Sequence, residues 1–584
     1  MAPSLRRLVP PLRRLVPPLR VIRRPVIIAP VVLAVLVVGA LWWRASWIVT
    51  HLFRAWAVTT IAEKSGDVYR LDVERVRFNF VLRRVIVDSI QVTTNRGINM
   101  LRSRPLAAMR LTFTGCRISG VHLIRLALSG GLVAEAFSCR AVKVLVAVPR
   151  GVPPAAASSE PRAARRAFLA VQQGLRLPSF APRIRIGRVD LPHVALDFRL
   201  QHGGGAGDSR LELEHLQWRM SDLAIDPADS TAATRPLFSR TVEFAAGNFV
   251  AHPDSGTAVR VGTLAASLTD STLELQHVAF APTLTDRAFR QSQRYRRGLM
   301  KTRIGRVTVQ GLDVGAFALG QGLRARRIQL DSLRIEIGSD RRRPSNPTRQ
   351  RYRTPQGWMA AFDRTISVDS VLVRNSEIVY RERHAEHSQA GVITFARLDA
   401  VALNVHHVVG RRTSGDAMTL HATAHLQNVG RLDVQFVLPL DAPRFDMTFR
   451  GTLGEMPAAS LNVFVRETFP LRISKGQIVG MTFRATVTNG VARGTITPRY
   501  NDLRVAVTRR GSSGILGNGG ILGGAARGLA SLVGNWTQLR SNNPDDAEEA
   551  PRVGTIHHAL APDETLPAFL WASIRDGLMA VVRK

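Results

Sequence analysis

MTLHATAHLQNVGRLDVQFVL, residues 418–438, decides the fold. Leu420, Ala422, Ala424 and Leu426 alternate with Thr419, His421, Thr423 and His425; beyond the Asn428-Val429-Gly430-Arg431 turn, Leu432, Val434, Phe436 and Leu438 resume the rhythm. A period of two sends successive side chains to opposite faces, so each run is a half-buried strand and the pair a hairpin. The pattern continues outward through Phe445, Met447 and Phe449, then Met481, Phe483, Ala485 and Val487. Asn489-Gly490 then turns the chain into Gly494-Thr495-Ile496 and Leu503, Val505 and Val507, which predicts a meander.

Upstream, residues 70–93, 183–200 and 303–319 have the same character. A loose repeat, I/V-x-[IV]-[DG]-x-[VL], opens RIGRVDLPHVALDF (185–198), RIGRVTVQGLDVGAF (303–317) and ISVDSVLVRNSEIVY (366–380). No alternation of strands with long crossover helices is visible, so the expectation is a mainly β chain: an elongated, curved antiparallel sheet with a few helices. Residues 151–182, rich in Pro, Ala and Ser, form a linker, while 286–301 and 338–356 are basic runs of a solvated helix or loop. The Gly-rich segment 511–539 is followed by a terminal amphipathic helix with Phe569, Leu570, Ile574, Leu578, Val581 and Val582 on one face. That helix caps the sheet or lies on a membrane.

The 584 residues carry a net charge of +36, with a pI near 11.7. Only Lys64, Lys143, Lys301, Lys475 and Lys584 are lysines; the other basic residues are arginine. Such charge suits nucleic acid or an anionic membrane, and its spread along the whole chain favours the membrane, with no nucleic-acid partner. Val26–Trp43 is uncharged and apolar, long enough at ~1.5 Å per residue to cross a hydrocarbon core. Val26, Leu33 and Val37 lie within the predicted anchor, and Trp42, Trp43 and Trp47 form an interfacial belt. Seven arginines and no acid precede it, which keeps the N-terminus cytoplasmic and puts the bulk of the chain across the bilayer. The competing reading, a cleaved signal peptide, lacks a small-residue cleavage site, since WWRASW is bulky. The organisation expected is a basic tail (1–24), an anchor (25–46), a first β segment (47–150), the linker (151–182), a β repeat region (183–364), a C-terminal β region (365–510) and the terminal segment (511–584).

Phosphate-cradle, zinc-protease and nucleophile-elbow motifs do not occur, so no enzyme, metal or cofactor is expected. His384 and His387, His406 and His407, and His421 and His425 have strand spacings better suited to a polar face than to a metal. Tyr380 and Glu382 share a strand face, a spacing that suits acid–base work; the competing reading, favoured here, is that Tyr380 packs and Glu382 offsets arginine charge. Cys116 and Cys139 fall on two predicted strands and form either a disulfide or a pair of unlinked small core residues.

Several passages resemble the AsmA-like family, in its domain-of-unknown-function branch, related to bacterial bridge-like lipid-transfer proteins. They are ISVDSVLVRNSEIVYRER, GVITFARLDAVALNV, GRLDVQFVLPLDAPRFDMTFRGTLGEMPAASLNVF, ISKGQIVGMTFRATVTNGVARGTITPRYNDLRV, and LRSNNP with FLWASIRDGL. The resemblance implies a bacterial inner-membrane protein whose periplasmic sheet curls into an apolar groove, in outer-membrane and envelope biogenesis. On that reading Leu420, Ala422, Leu426, Val434, Phe436, Phe445, Met447, Phe449, Phe483 and Val487 contact phospholipid acyl chains. The alternatives are that these side chains form a covered core, and that the chain is a non-enzymatic assembly or structural factor binding envelope proteins through its β surfaces.

Overall fold

The structure, a computed structural model, describes residues 69–79, 82–94, 108–122, 131–148, 183–200, 209–226, 229, 235–254, 256–295, 298–314, 322–344, 354–361, 365–384, 389–407, 417–468, 471–507, 539–561 and 564–583. Contacts divide the chain into residues 1–57 and 58–584, and everything described belongs to the second unit. The basic tail, the anchor with Val26, Leu33, Val37, Trp42, Trp43 and Trp47, the linker 151–182, and residues 511–538 lie outside the described residues. Among the described residues no helix is long and apolar enough to cross a membrane.

The described strands form one sheet of 21. They are β1 (Tyr69–Asn79), β2 (Arg84–Thr94), β3 (Ala108–Ser119), β4 (Gly131–Val148), β5 (Arg183–Leu200), β6 (Ser209–Ile225) and β7 (Thr241–Asp254). There follow β8 (Thr257–Ser267), β9 (Thr272–Pro282), β10 (Leu299–Gln310), β11 (Gly322–Asp331), β12 (Arg334–Asp340), β13 (Thr365–Arg383) and β14 (Ala390–His407). The last are β15 (Met418–Leu426), β16 (Gly430–Leu438), β17 (Met447–Leu453), β18 (Met456–Pro457), β19 (Leu471–Thr488), β20 (Val491–Val507) and β21 (Gly554–Ala559).

Nearly every strand pairs with its sequence neighbour. β11 and β12 share one side of β10 end to end, and β17 and β18 share one side of β19. The sheet is mixed, which corrects the expectation of an antiparallel one: β4 pairs β5 in parallel, as do β11 and β12 with β13. A parallel neighbour requires the chain to return to the same end first, and the segments 149–182 and 341–364 are the long connections that do so. Alternation reports which face a side chain occupies, so strand direction is invisible to it.

Four helices accompany the sheet among the described residues: α1 (Asp286–Ser292), α2 (Pro355–Ala361), α3 (Asn462–Thr468) and α4 (Leu566–Val582). α4 begins with Pro at its first turn, where a missing N–H costs nothing, and buries Phe569, Ala572, Ser573, Gly577, Val581 and Val582. Its neighbours are β20 and β21. A Cβ on Gly577 would stand 2.5 Å from Ile496 and 2.9 Å from Ile556, so glycine is what lets the helix backbone lie against the strands.

A line of irregular residues crosses β7 to β14. The ladders skip Asn248 opposite Gly262, Gly262 opposite His277, and His277 opposite Gly305. The line continues through Ser332, between β11 and β12, to Asn375 in β13 and Arg397 in β14. Asn248, His277, Ser332, Asn375 and Arg397 have positive φ (47, 53, 55, 47 and 49°), and glycines occupy the rows between. In β7 to β10 the register is unbroken across these rows, one unpaired residue standing opposite another, while β13–β14 and β14–β15 shift register there; aligned over many strands, such irregular rows bend the sheet into a crease. Each also shifts the apolar alternation by one while keeping the same face: Ala246 then Phe249, Val261 then Leu264, Leu275 then Val278, Ile304 then Val307. In Ile304-Gly305-Arg306-Val307 the sequence repeat is therefore the signature of the crease.

Candidate functional site

On the apolar side of the crease, Leu213, Ala246, Phe249 and Val261 are buried, with Leu196, Leu211, Leu216, Val259, Leu264, Leu275 and Val278 packed against them. All come from β5 to β9, and Ala246 and Phe249, Val261 and Leu264, and Leu275 and Val278 stand on both sides of the line of irregular residues. The reverse face is wet: Thr263, Ala265 and His277 are exposed. Among the described residues no helix contributes to this cluster, which is built from strands alone. A second cluster, Val309, Leu312, Ala325 and Val368 with Ile328, Ile366, Val371 and Val405, carries the apolar face on towards β14. The arrangement is a continuous aliphatic face, whose partly buried side chains can hold apolar groups by burial without chemical reaction.

Towards the C-terminus the face is covered. Phe445, Met447, Phe449 and Val487, four of the side chains expected on a lipid-contacting surface, are 7%, 3%, 3% and 2% exposed in a core that α4 closes with Phe569. Phe445 meets Phe569 edge to face at 5.2 Å, and Phe449 lies 6.4 Å from Phe436 and 6.3 Å from Phe483. Phe436 and Phe483 are partly buried against this core, and Met359 of α2 joins it. Ala422 is buried, while Leu420, Leu426 and Val434 are half-buried. The cluster residues of β5 to β9 escaped the sequence reading because their alternation breaks in mid-strand; the shift across Gly262 was the available signal.

The polar clusters pair internally. The Tyr380 hydroxyl donates to Glu382, whose carboxylate also meets His384 Nε2 at 2.7 Å and the Arg341 guanidinium at 3.2 Å. Burial alone would raise the Glu382 pKa, but His384, Arg341 and Tyr380 outweigh it and hold the group at about 2. Burial, with the neighbouring Glu382 charge, pushes the Tyr380 hydroxyl well up. A carboxylate this committed is a structural counter-ion. His407 bonds Asp441 at 2.8 Å, His421 meets Asp433 at 3.1 Å, and His406 bonds Ser367 at 3.1 Å. His425 is apart from these pairs, and His387 lies outside the described residues. Among the described residues no group of three metal-ligating side chains converges. Cys116 and Cys139, directly opposite on β3 and β4, are joined by a disulfide with 2.13 Å between the sulfurs.

No family model matches the chain, and no curated protein matches it. Among solved structures, the "Crystal structure of Sex pheromone staph-cAM373 precursor" aligns over 59% of this chain and 87% of that one, with 8% identity and a TM-score of 0.10, too low a likeness to carry an argument. The AsmA-like resemblance has no counterpart among these comparisons. The fold itself defines a mainly β protein built on one large mixed sheet with few helices.

Proposed function

We propose that this chain is an AsmA-like, inner-membrane-anchored protein, N-terminus cytoplasmic and bulk periplasmic, that binds or conducts phospholipid acyl chains in a β trough for envelope biogenesis, without catalysis. The observation that carries the reading is the aliphatic cluster on one face of β5 to β9, to which no described helix contributes. Burying apolar area gains ~25 cal/mol per Å², so an acyl chain laid along such a face is held by that gain. The trough, rather than the helix-covered C-terminal core, is where the reading places lipid.

The test is lipid extraction and mass spectrometry on the full chain purified in a non-phospholipid detergent, beside Leu264→Asp/Leu275→Asp. Wild type should retain phospholipid and the double variant should lose most of it while keeping its β circular dichroism. Equal phospholipid in both, or none in wild type, rejects the trough. Loss of the trough together with photocrosslinks from the β1 edge to membrane proteins would favour the assembly-factor reading instead.

A further inference from the structure

The reverse face of the C-terminal sheet is as regular as its core. β17 and β19 carry the same spacing, Thr448-x-Arg450-x-Thr452 and Thr482-x-Arg484-x-Thr486, and they pair in mirror register: Thr448 opposite Thr486, Arg450 opposite Arg484, Thr452 opposite Thr482. On β20, Thr495 stands opposite Arg484, and Arg493 opposite Thr486. Directly opposed side chains on one sheet face have Cβ atoms roughly 5 Å apart and diagonal ones ~7 Å, which puts Arg450, Arg484 and Arg493 in one cluster. All three are exposed.

Like charges placed opposite each other across strands are destabilising unless something answers them. Nothing described does. Arg450 donates to the neutral Gln435 at 2.9 and 2.6 Å, and no ion pair joins Arg450, Arg484 or Arg493 to a carboxylate among the described residues. The nearest acid on this face, Asp433, is engaged by His421. On the same face, Val437 stands opposite Thr448, and Val401 and Leu403 lie on β14; they are 41%, 42% and 44% exposed.

We infer that this face, on the opposite side of the sheet from the apolar core, docks on an anionic phospholipid surface. Phosphates answer the three guanidiniums, threonine hydroxyls add donors, and the exposed aliphatics meet the acyl boundary beneath the headgroups. The inference does not depend on the trough.

The experiment is arginine modification by phenylglyoxal, read by mass spectrometry, on the full chain in neutral-detergent micelles doped with phosphatidylglycerol or, at equal mole fraction, phosphatidylcholine. Phosphatidylglycerol should slow modification of Arg450, Arg484 and Arg493 at least about threefold, with the exposed Arg260 unchanged and the protection fading as salt screens the charges. Arg450→Gln/Arg484→Gln/Arg493→Gln, which touches no buried group, should keep the fold and release phosphatidylglycerol in a retention assay. Equal protection by phosphatidylcholine, by inorganic phosphate or by poly-glutamate, or equal protection of Arg260, overturns the inference.

Discussion

His558 sits where β21, α4 and the loop before α4 converge. Its ring donates to Asp576 at 3.1 Å through Nδ1 and to Glu564 at 3.0 Å through Nε2, and lies 5.4 Å from the Phe569 ring. The bond to Asp576, then the bond to Glu564, raise its pKa to about 9 against the opposing effect of burial. A raised folded-state pKa stabilises fully below the unfolded value of about 6.5 and is lost as pH rises through about 9. Urea unfolding should therefore weaken by on the order of 2 kcal/mol across that window after allowing for partial exposure, and His558→Gln should flatten the dependence. Glu382 works in the opposite sense. Its depressed pKa adds stability above about 4.5 that disappears as pH falls through about 2. Glu382→Ala, which strands Arg341, should cost on the order of 3 kcal/mol in the same melts at neutral pH. That Tyr380 and Glu382 share a strand face was legible from their two-residue spacing, as was an arginine partner for Glu382; the hydrogen bond between the two was not. Which arginine answers Glu382 was not legible, since Arg341 arrives by the parallel β12–β13 pairing that alternation cannot report.

At the scale of elements, the line of irregular residues across β7 to β14 is the feature to test. His277 is held at φ 53° with its Cβ 3.0 Å from where a Cβ on Gly262 would be. A β-branched residue is strongly disfavoured there and glycine is not, so His277→Val should destabilise by about 1–2 kcal/mol while His277→Gly is neutral or mildly stabilising in thermal melts. Equal losses in both would mean that the imidazole, not the backbone, is what matters at this row. The hairpin β15–β16, the β19–β20 hairpin at Asn489-Gly490 and helix α4 were legible because strict alternation, a turn dipeptide and helical spacing are local signals. The crease was half legible. The Ile-Gly-Arg-Val repeat appeared as a strand opener, but its meaning depends on neighbouring strands placing their own irregular residues alongside.

For the whole molecule, one sheet runs from Tyr69 to Ala559, and at ~4.8 Å per strand its contour measures roughly 90 Å along the hydrogen-bonding direction. The Cys116–Cys139 bond ties β3 to β4 beside the parallel β4–β5 joint, closing a loop of sequence separation 23. Replacing both cysteines by alanine should cost about 3 kcal/mol, seen as a lower urea midpoint that no longer responds to reductant. The mainly β class was legible from periodicity alone. The division of the apolar face into a core packed by α4 and a cluster built from strands alone was not, because which element packs on a face depends on contacts between distant segments. The central claim concerns that cluster, and photocrosslinking in cells tests it most directly. A benzoyl-phenylalanine at Leu264, inside the crease, should form covalent phospholipid adducts detectable by mass spectrometry, and one at the neighbouring exposed Thr263 should not. No adduct at Leu264, or equal adducts at both positions, would contradict the account.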